Sequence, residues 1–138
     1  MEYKMNYPSL VLGTGMLVLS LTACSHNEPL YNVDHHPLPP YAQKLSLNEI
    51  ETIISQTASR RGWECHPKSY NKMVCNVKRR NHTAVLEINY TNTYFSIVNL
   101  NAYNLNYKDG NIHPKYNKWV RLLENEIESS ISRKASAR

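Results

Sequence analysis

Residues 63–107 constrain the fold most strongly, because apolar and polar side chains alternate there in several short runs. The region is rich in Tyr, Val, Ile and Asn, and turn-like sequences interrupt it at "PKSYN", "RRN" and "YTNT". Such alternation is typical of half-buried antiparallel strands joined by tight turns. The pattern predicts four consecutive strands, at about residues 63–67, 73–80, 82–90 and 93–105.

The side-chain period of two assigns an apolar face to the second and third predicted strands. The residues that share such a face are Met73, Cys75 and Val77 in the second strand, and Ala84, Leu86 and Ile88 in the third. The fourth strand is ambiguous, because Phe95 and Ile97 favour one face while Val98 and Leu100 favour the other. The sequence leaves both orientations of that strand open.

A helix is predicted before the strands, in "LSLNEIETIISQTASRRGW". Ser46 and Glu49 have the spacing of a capping box, and Gly62 follows a basic last turn, as at many helix C-termini. The apolar residues at helical spacing are Ile50, Ile53, Ile54 and Ala58.

A second helix is predicted in "NIHPKYNKWVRLLENEIESSISRK", with Pro114 in the first helical position. The residues expected on its apolar face are Tyr116, Trp119 or Val120, Leu123, Ile127 and Ile131. Residues 132–138 form a short basic tail, which we expect to be flexible.

Two amphipathic helices that flank antiparallel strands indicate an α+β fold. The simplest packing places both apolar helix faces on one side of a four-stranded meander, in a two-layer domain over residues 44–131. The other side of the sheet would then carry Asn, Lys, Arg, Glu and Tyr side chains.

The chain opens with a short segment followed by an uncharged run, residues 9–23. A helical span needs about 20 apolar residues, so this run fits the hydrophobic region of a secretory signal better than a stable anchor. It ends in "LTAC", residues 21–24, which resembles the lipobox of bacterial lipoproteins. The resemblance implies that residues 1–23 are a signal peptide and that Cys24 is lipidated. An ordinary signal peptide beside an incidental cysteine is the alternative.

The residue after Cys24 is Ser25 and not Asp, which in lipoproteins of Gram-negative bacteria implies sorting to the outer membrane. Several acyl chains bind a bilayer far more tightly than the marginal attachment that one chain provides. We therefore expect a protein anchored by lipid to the cell envelope, facing the periplasm.

Residues 24–43 contain four prolines and no apolar periodicity, which predicts an extended tether that holds the domain away from the membrane. His35 and His36 lie in this segment, with His26 nearby. No cysteine or second spaced histidine pair completes a ligand set, so we predict a solvated linker and no metal site.

Cys65 and Cys75 remain once Cys24 is assigned to lipidation. Secretion would place them in an oxidising compartment, where an even pair predicts one disulfide, and a hairpin centred near Tyr70 would set them opposite each other. Closing so short a loop contributes about 3 kcal/mol. The alternative, Cys65 as a nucleophile with His66 as its base, is disfavoured because adjacent strand residues point to opposite faces.

Three motifs resemble a group of small Gram-negative envelope lipoproteins of uncharacterised function. They are "RGW" at residues 61–63, Ile88 and Tyr90 at a strand end, and I-H-x-x-Y-N-x-W at residues 112–119. The likeness covers residues 45–131 and implies the same fold and location, with no catalytic residues. Residues 99–102 depart from the pattern of the group. For His113 and Asn117, one helical turn apart, we predict helix capping and not metal ligation.

The motifs that carry common enzymatic chemistry are missing from the sequence. It has only four glycines and contains no phosphate-binding loop, no G-x-S-x-G and no H-E-x-x-H. We therefore expect a non-catalytic protein with no cofactor and no small-molecule substrate.

The formal net charge is +5, and basic residues are concentrated at Lys78, Arg79 and Arg80 and in the second helix. Such a surface suits anionic lipid, lipopolysaccharide phosphates or an acidic protein, while nucleic acid is not expected in the periplasm. The main hypothesis is docking of an envelope protein or glycan through the exposed sheet face and the basic hairpin. The alternative is a periplasmic enzyme inhibitor or immunity protein that presents Tyr70 at the tip of a hairpin.

Overall fold

The computed structural model describes residues 26–138, which form two helices, a five-stranded antiparallel sheet and a two-stranded sheet. The strands are β1 (Glu28–Pro29), β2 (Val33–Pro37), β3 (Glu64–Ser69), β4 (Lys72–Arg79), β5 (His82–Tyr90), β6 (Tyr94–Tyr103) and β7 (Asn111–Ile112). The helices are α1 (Leu47–Arg60) and α2 (Pro114–Ser136), and a 3-10 turn spans Pro40–Lys44. The predicted α+β class is confirmed. The predicted signal peptide and Cys24 lie outside the described residues.

The large sheet has the order β2-β6-β5-β4-β3, so its last four members form the meander that the sequence indicates. The predicted count of four strands is wrong, because β2 adds a fifth strand along the edge of β6. Prolines are tolerated at such an edge, where one side of the strand needs no ladder hydrogen bonds.

The segment before α1 is part of the domain, so the prediction of an extended tether over residues 24–43 is wrong for its described part. Val33, Leu38 and Ala42 are buried in the core. Their spacing follows neither the period of a strand nor that of a helix, because the chain passes from β2 into the 3-10 turn. The domain therefore begins well before residue 44.

One hydrophobic core joins the buried residues of both helices to one face of the large sheet. Cross-strand pairs such as Met73 with Ile88 and Cys75 with Leu86 lie on this face. The ambiguity in β6 is resolved, because Phe95 and Ile97 are buried whereas Val98 and Leu100 are exposed. A bulge follows: Leu86 pairs with Asn99, but Val85 pairs with Asn101. The extra residue shifts the register of β6. Neither of the two alternation patterns that the sequence allows is therefore kept along the whole strand.

Helix α1 begins and ends as its sequence indicates. The Ser46 and Glu49 side chains form the capping box with each other's backbone amides. At the other end Gly62 has a φ of +78°, and the amides of Gly62 and Trp63 bond to the carbonyls of Ser59 and Ala58. This pattern satisfies the last carbonyl groups of the helix, and glycine adopts its left-handed conformation at little cost.

Helix α2 is longer than expected, and the predicted flexible tail over residues 132–138 is wrong, since the helix continues to Ser136. Ala135 is fully buried and extends the stripe that contains Ile127 and Ile131. The Arg138 guanidinium also pairs with the Glu49 carboxylate at the start of α1. Packing against α1 therefore orders a segment whose composition alone indicates fraying. Within residues 26–138, neither helix is long and apolar enough to cross a membrane.

Candidate functional site

The β3–β4 hairpin carries the predicted disulfide, and this prediction is confirmed: Cys65 and Cys75 are opposite each other in the register and are bonded. The Tyr70 side chain lies at the hairpin tip and is 82% exposed. Asn71 beside it has a φ of +53°, a conformation that Asn tolerates better than most residues. The disulfide thus closes a hairpin that presents one aromatic ring to solvent.

The basic triplet predicted from sequence lies at the other end of β4, where Lys78 and Arg79 finish the strand and Arg80 enters the turn to β5. Strand β4 has eight residues. At about 3.3 Å per residue the strand separates Tyr70 from Arg80 by about 25 Å. The four candidate partner-binding residues therefore lie at opposite ends of β4, with Tyr70 at one end and the basic triplet at the other.

Arg79 is held in place by two contacts. Its guanidinium carbon lies 4.9 Å from the ring centroid of Trp119, and its Nη2 donates a hydrogen bond of 2.7 Å to the Arg61 carbonyl. A guanidinium over an indole face is an attractive cation–π geometry. Arg79 therefore joins β4 to α2 and to Arg61, the residue that follows α1, while the exposed Lys78 and Arg80 extend from the surface.

A groove of about 350 Å³ lies next to this contact. Its lining combines cations with apolar surface and consists of Arg79, Arg80, His82, Lys115, Lys118, Trp119 and Leu122. A second depression of about 550 Å³ shares Lys115, Lys118 and Leu122 with the first and adds Glu28, His113 and Arg121 among its lining residues. We call the five cations of these two depressions the basic surface: Arg79, Arg80, Lys115, Lys118 and Arg121.

The basic surface is nearly free of counter-charges. Among residues 26–138, Glu28 is the only carboxylate that lines either depression. No ion pair joins Arg80, Lys115 or Lys118 to a carboxylate within the described part of the chain. Arg121 instead lies over the Tyr31 ring, with 3.8 Å between its guanidinium carbon and the ring centroid. The surface therefore has an unneutralised positive potential that would attract anions.

Asn117 ties the N-terminal segment to the start of α2, a role that the sequence analysis missed. Its Nδ2 donates to the Pro29 carbonyl at 2.8 Å and to the Glu28 carboxylate at 3.2 Å, and its Oδ1 accepts from the Tyr31 amide at 2.9 Å. Asn117 is buried, so these bonds satisfy a side chain that would otherwise be costly in the core. The only signal in the sequence was a polar residue at an apolar-stripe position.

His113 is the residue that precedes α2, and its Nδ1 accepts a hydrogen bond from the Lys115 amide at 3.1 Å. The capping role predicted for His113 is confirmed, whereas Asn117 does not cap. Burial lowers the pKa of His113, with smaller contributions from Lys115 and His82, so its uncharged form is favoured. An uncharged imidazole can accept the amide hydrogen, which a protonated one cannot do.

Two of the histidines predicted to lie in a solvated linker, His35 and His36, contact the domain, and the His35 ring lies 4.4 Å from that of Tyr94. His36 stacks on Phe95, and its Nδ1 lies 2.7 Å from a Glu124 carboxylate oxygen. Glu124 also accepts a hydrogen bond of 2.7 Å from the Tyr31 hydroxyl. In the described part of the chain, no group of three or more His, Cys, Asp or Glu side chains is arranged to hold a metal ion.

The side of the large sheet away from the core forms a third surface, which we call the open face. Its rows, read across β4, β5 and β6, are Val74–Glu87–Val98, Asn76–Val85–Asn101 and Lys78–Thr83–Tyr103. None of these nine residues is buried. The polar character predicted for this side is therefore mixed with three valines. The sequence left the face of Val98 open and did not assign Val74 or Val85 to either side.

Glu87 is the charged centre of the open face. Its carboxylate lies 3.1 Å from the Lys72 ammonium and 3.6 Å from that of Lys68. Burial alone raises the pKa of Glu87, but hydrogen bonds from Lys72 and Asn89 outweigh it, so the net shift is downward. The carboxylate is therefore ionised and neutralised within the face.

Comparison with known proteins identifies no relative: no protein-family model, no curated protein and no solved structure matches this chain.

Proposed function

We propose that this chain is a non-catalytic, lipid-anchored protein of the cell envelope that binds an envelope protein or glycan through the open face. The location is supported by the lipobox-like sequence at residues 21–24. The binding role is supported by one observation on the fold. The open face remains solvent-exposed although it carries apolar and aromatic side chains.

The chemistry of the open face suits a broad, non-covalent contact. Val98 is 36% exposed and Tyr103 is 72% exposed. Asn76 and Asn101 provide amide donors and acceptors between the apolar positions. Apolar anchors surrounded by hydrogen-bonding groups are the usual anatomy of protein-binding surfaces, and aromatic rings with amides also suit sugars. Since Glu87 is neutralised locally by Lys72 and Lys68, the exposed charge that the face presents to its partner is the positive charge of Lys78.

The test of the binding role is site-specific photo-crosslinking in intact cells. A benzoylphenylalanine in place of Tyr103 should give a discrete adduct with an envelope component, and a Val98→Glu substitution in the same chain should abolish it. The matched control places the crosslinker at Gln56, which is exposed on α1, with Val98 unchanged. Equal adducts from both positions, or adducts that persist with Val98→Glu, would contradict the proposal.

The anchor is tested separately with Cys24→Ala. The unsubstituted chain should be processed to a mature form that carries acyl groups and sediments with membranes. The variant should accumulate as an unprocessed precursor without lipid. A variant that is processed to the same mature form and still sediments would exclude Cys24 as the attachment site.

A second function, inhibition of a periplasmic enzyme, is supported by the geometry of the β3–β4 hairpin. Tyr70 protrudes from a loop that the disulfide closes, a form that suits insertion into a concave active site. The purified protein should then inhibit a cell-wall-degrading enzyme, and Tyr70→Ala should abolish inhibition while Tyr107→Ala, another exposed tyrosine, should not. Inhibition without dependence on Tyr70 would exclude this mode of binding.

A further inference from the structure

The described chain enters the domain beside the basic surface. Strand β1 pairs with β7, which immediately precedes α2, and the Leu30 amide bonds to the Gly110 carbonyl at 2.8 Å. Asn117 holds Pro29 in place. Glu28 itself lines the larger depression, together with Lys115, Lys118 and Arg121. The N-terminal segment therefore meets the domain at its cationic end.

The sequence distance from Cys24 to this entry point is short. Cys24 precedes Glu28 by four residues. A fully extended chain spans at most about 3.6 Å per residue, so the Cα atoms of Cys24 and Glu28 are no more than about 15 Å apart. A lipid on Cys24 would therefore keep this end of the domain next to the bilayer surface. The rest of the segment cannot act as a spacer, because it is folded into β1, β2 and the 3-10 turn.

We infer that, once Cys24 carries the lipid proposed above, the basic surface binds the phosphate groups of anionic lipids in the same membrane and thereby orients the domain. Arg80, Lys115 and Lys118 are exposed and have no carboxylate partner among residues 26–138. Clusters of cations held within a Debye length of an anionic bilayer are attracted to it, and the length is about 8 Å in physiological salt.

Leu122 strengthens the choice of a lipid surface over a soluble anion. Its side chain is exposed and lines both depressions, between the cations. An apolar side chain among cations suits the boundary between headgroups and acyl chains. In this orientation the Tyr70 hairpin, about 25 Å away along β4, points away from the bilayer and stays accessible to soluble molecules.

The experiment uses the mature lipidated protein, purified in detergent and reconstituted into vesicles. One set of vesicles contains phosphatidylcholine mixed with phosphatidylglycerol, and the other contains phosphatidylcholine alone. Lysine acylation rates are read residue by residue by mass spectrometry. On the anionic vesicles Lys115 and Lys118 should react at least about fivefold more slowly than in detergent, since each cation near such a surface is attracted to it. Lys68, in the distant hairpin, should react at an unchanged rate.

A charge variant tests whether the cations cause this protection. Arg80→Asn with Lys118→Glu removes charge from the basic surface and leaves Lys115 as the reporter, and Asn tolerates the positive φ of 57° at position 80. Lys115 should regain most of its reactivity on anionic vesicles. The matched control, Lys68→Asn with Lys134→Glu, changes net charge equally but at other sites, and should leave Lys115 protected.

The outcomes separate this inference from the anchor. An intact mass without acyl groups would overturn the lipidation at Cys24 and the orientation with it. A lipidated protein whose Lys115 and Lys118 react as fast on anionic vesicles as in detergent would overturn the orientation alone. Equal protection of Lys68 would also overturn it, because the whole domain and not one end would then be shielded. Protection of equal size on phosphatidylcholine alone would exclude the phosphate-charge mechanism.

Discussion

The two ends of β4 differ in what holds them together as well as in their chemistry. At the hairpin end, the disulfide joins residues that are only 10 positions apart. At the other end, beside the start of α2, Asn117 bonds to residues more than 80 positions away in the chain. The hairpin end is therefore maintained by a local covalent link, whereas the basic end depends on the N-terminal segment being in place.

This difference assigns separate roles to the two ends. A locally closed hairpin keeps its shape whatever happens to the N-terminus, and it presents an aromatic tip to solvent. The basic end is assembled from β1, β7 and α2, so its geometry is coupled to the segment that follows Cys24. Substitutions that act on one end and spare the other will test whether the two are energetically independent.

The largest expected effect is at the hairpin end. Replacing both cysteines, Cys65→Ala with Cys75→Ala, should lower the free energy of unfolding by about 3 kcal/mol, because the unfolded chain regains the entropy that the closed loop removes. Urea unfolding of the variant, and of the unsubstituted protein with and without reductant, measures this difference. Reductant should destabilise the unsubstituted protein by a similar amount and leave the variant unchanged. Equal unfolding midpoints for the oxidised protein and the variant would show that the link is energetically neutral.

The second effect is at the basic end. Asn117→Ala should lower the free energy of unfolding by about 2 kcal/mol, since the Pro29 carbonyl and the Tyr31 amide lose their partner in a part-buried site. Hydrogen exchange should accelerate at the amide of Tyr31 before it changes in the β3–β4 hairpin.

The control for that measurement is Asn125→Ala, an exposed asparagine farther along α2. It should change the stability by no more than about 0.5 kcal/mol. If Asn117→Ala accelerated exchange equally in the hairpin, the two ends would unfold as one unit and the comparison would fail.

The parts of the fold that the sequence predicted are those that local rules determine. The capping box of α1, the glycine that ends it and the pairing of Cys65 with Cys75 all depend on residues close together in the chain. The β6 orientation was left open because a bulge near Asn99 changes the alternation, and a bulge has no reliable sequence signal.

The parts that were missed depend on distant partners. The N-terminal segment was assigned as a tether because its prolines and irregular apolar spacing indicate no periodic element, yet Val33 and Leu38 are buried once β6 supplies an edge. The sequence predicted the basic surface only as local concentrations of Lys and Arg, and it did not predict that residues of β4 and α2 would form one surface. Lys115 and Lys118 meet Arg79 and Arg80 because Trp119 packs near β4, a contact that sequence spacing does not specify.

The smallest expected effects on the free energy of unfolding come from substituting two buried tyrosines, one at each end. The Tyr90 hydroxyl, near the hairpin, donates a hydrogen bond to the Glu51 carboxylate. The Tyr116 hydroxyl, near the start of α2, is buried and has no hydrogen-bond partner that meets normal geometry in the described residues. Tyr90→Phe should therefore cost about 1 kcal/mol at pH 7, whereas Tyr116→Phe should leave the stability within about 0.5 kcal/mol.

Alkaline pH separates the same two residues further. Burial raises the pKa of Tyr116 to about 12, with a small opposing contribution from Asn99. An unfolded tyrosine loses its proton near pH 10, so between about pH 10 and 12 the unfolded state binds fewer protons than the folded state and stability falls as pH rises. Tyr116→Phe removes this contribution and should gain about 1 kcal/mol relative to the unsubstituted protein at pH 11, measured by urea unfolding.

Burial and the Glu51 hydrogen bond also raise the pKa of Tyr90, so Tyr90→Phe should show the same alkaline gain on top of its loss at pH 7. A Tyr116→Phe variant whose stability runs parallel to that of the unsubstituted protein from pH 7 to 11 would show that solvent reaches this hydroxyl, and that the basic end is less tightly closed than the hairpin end.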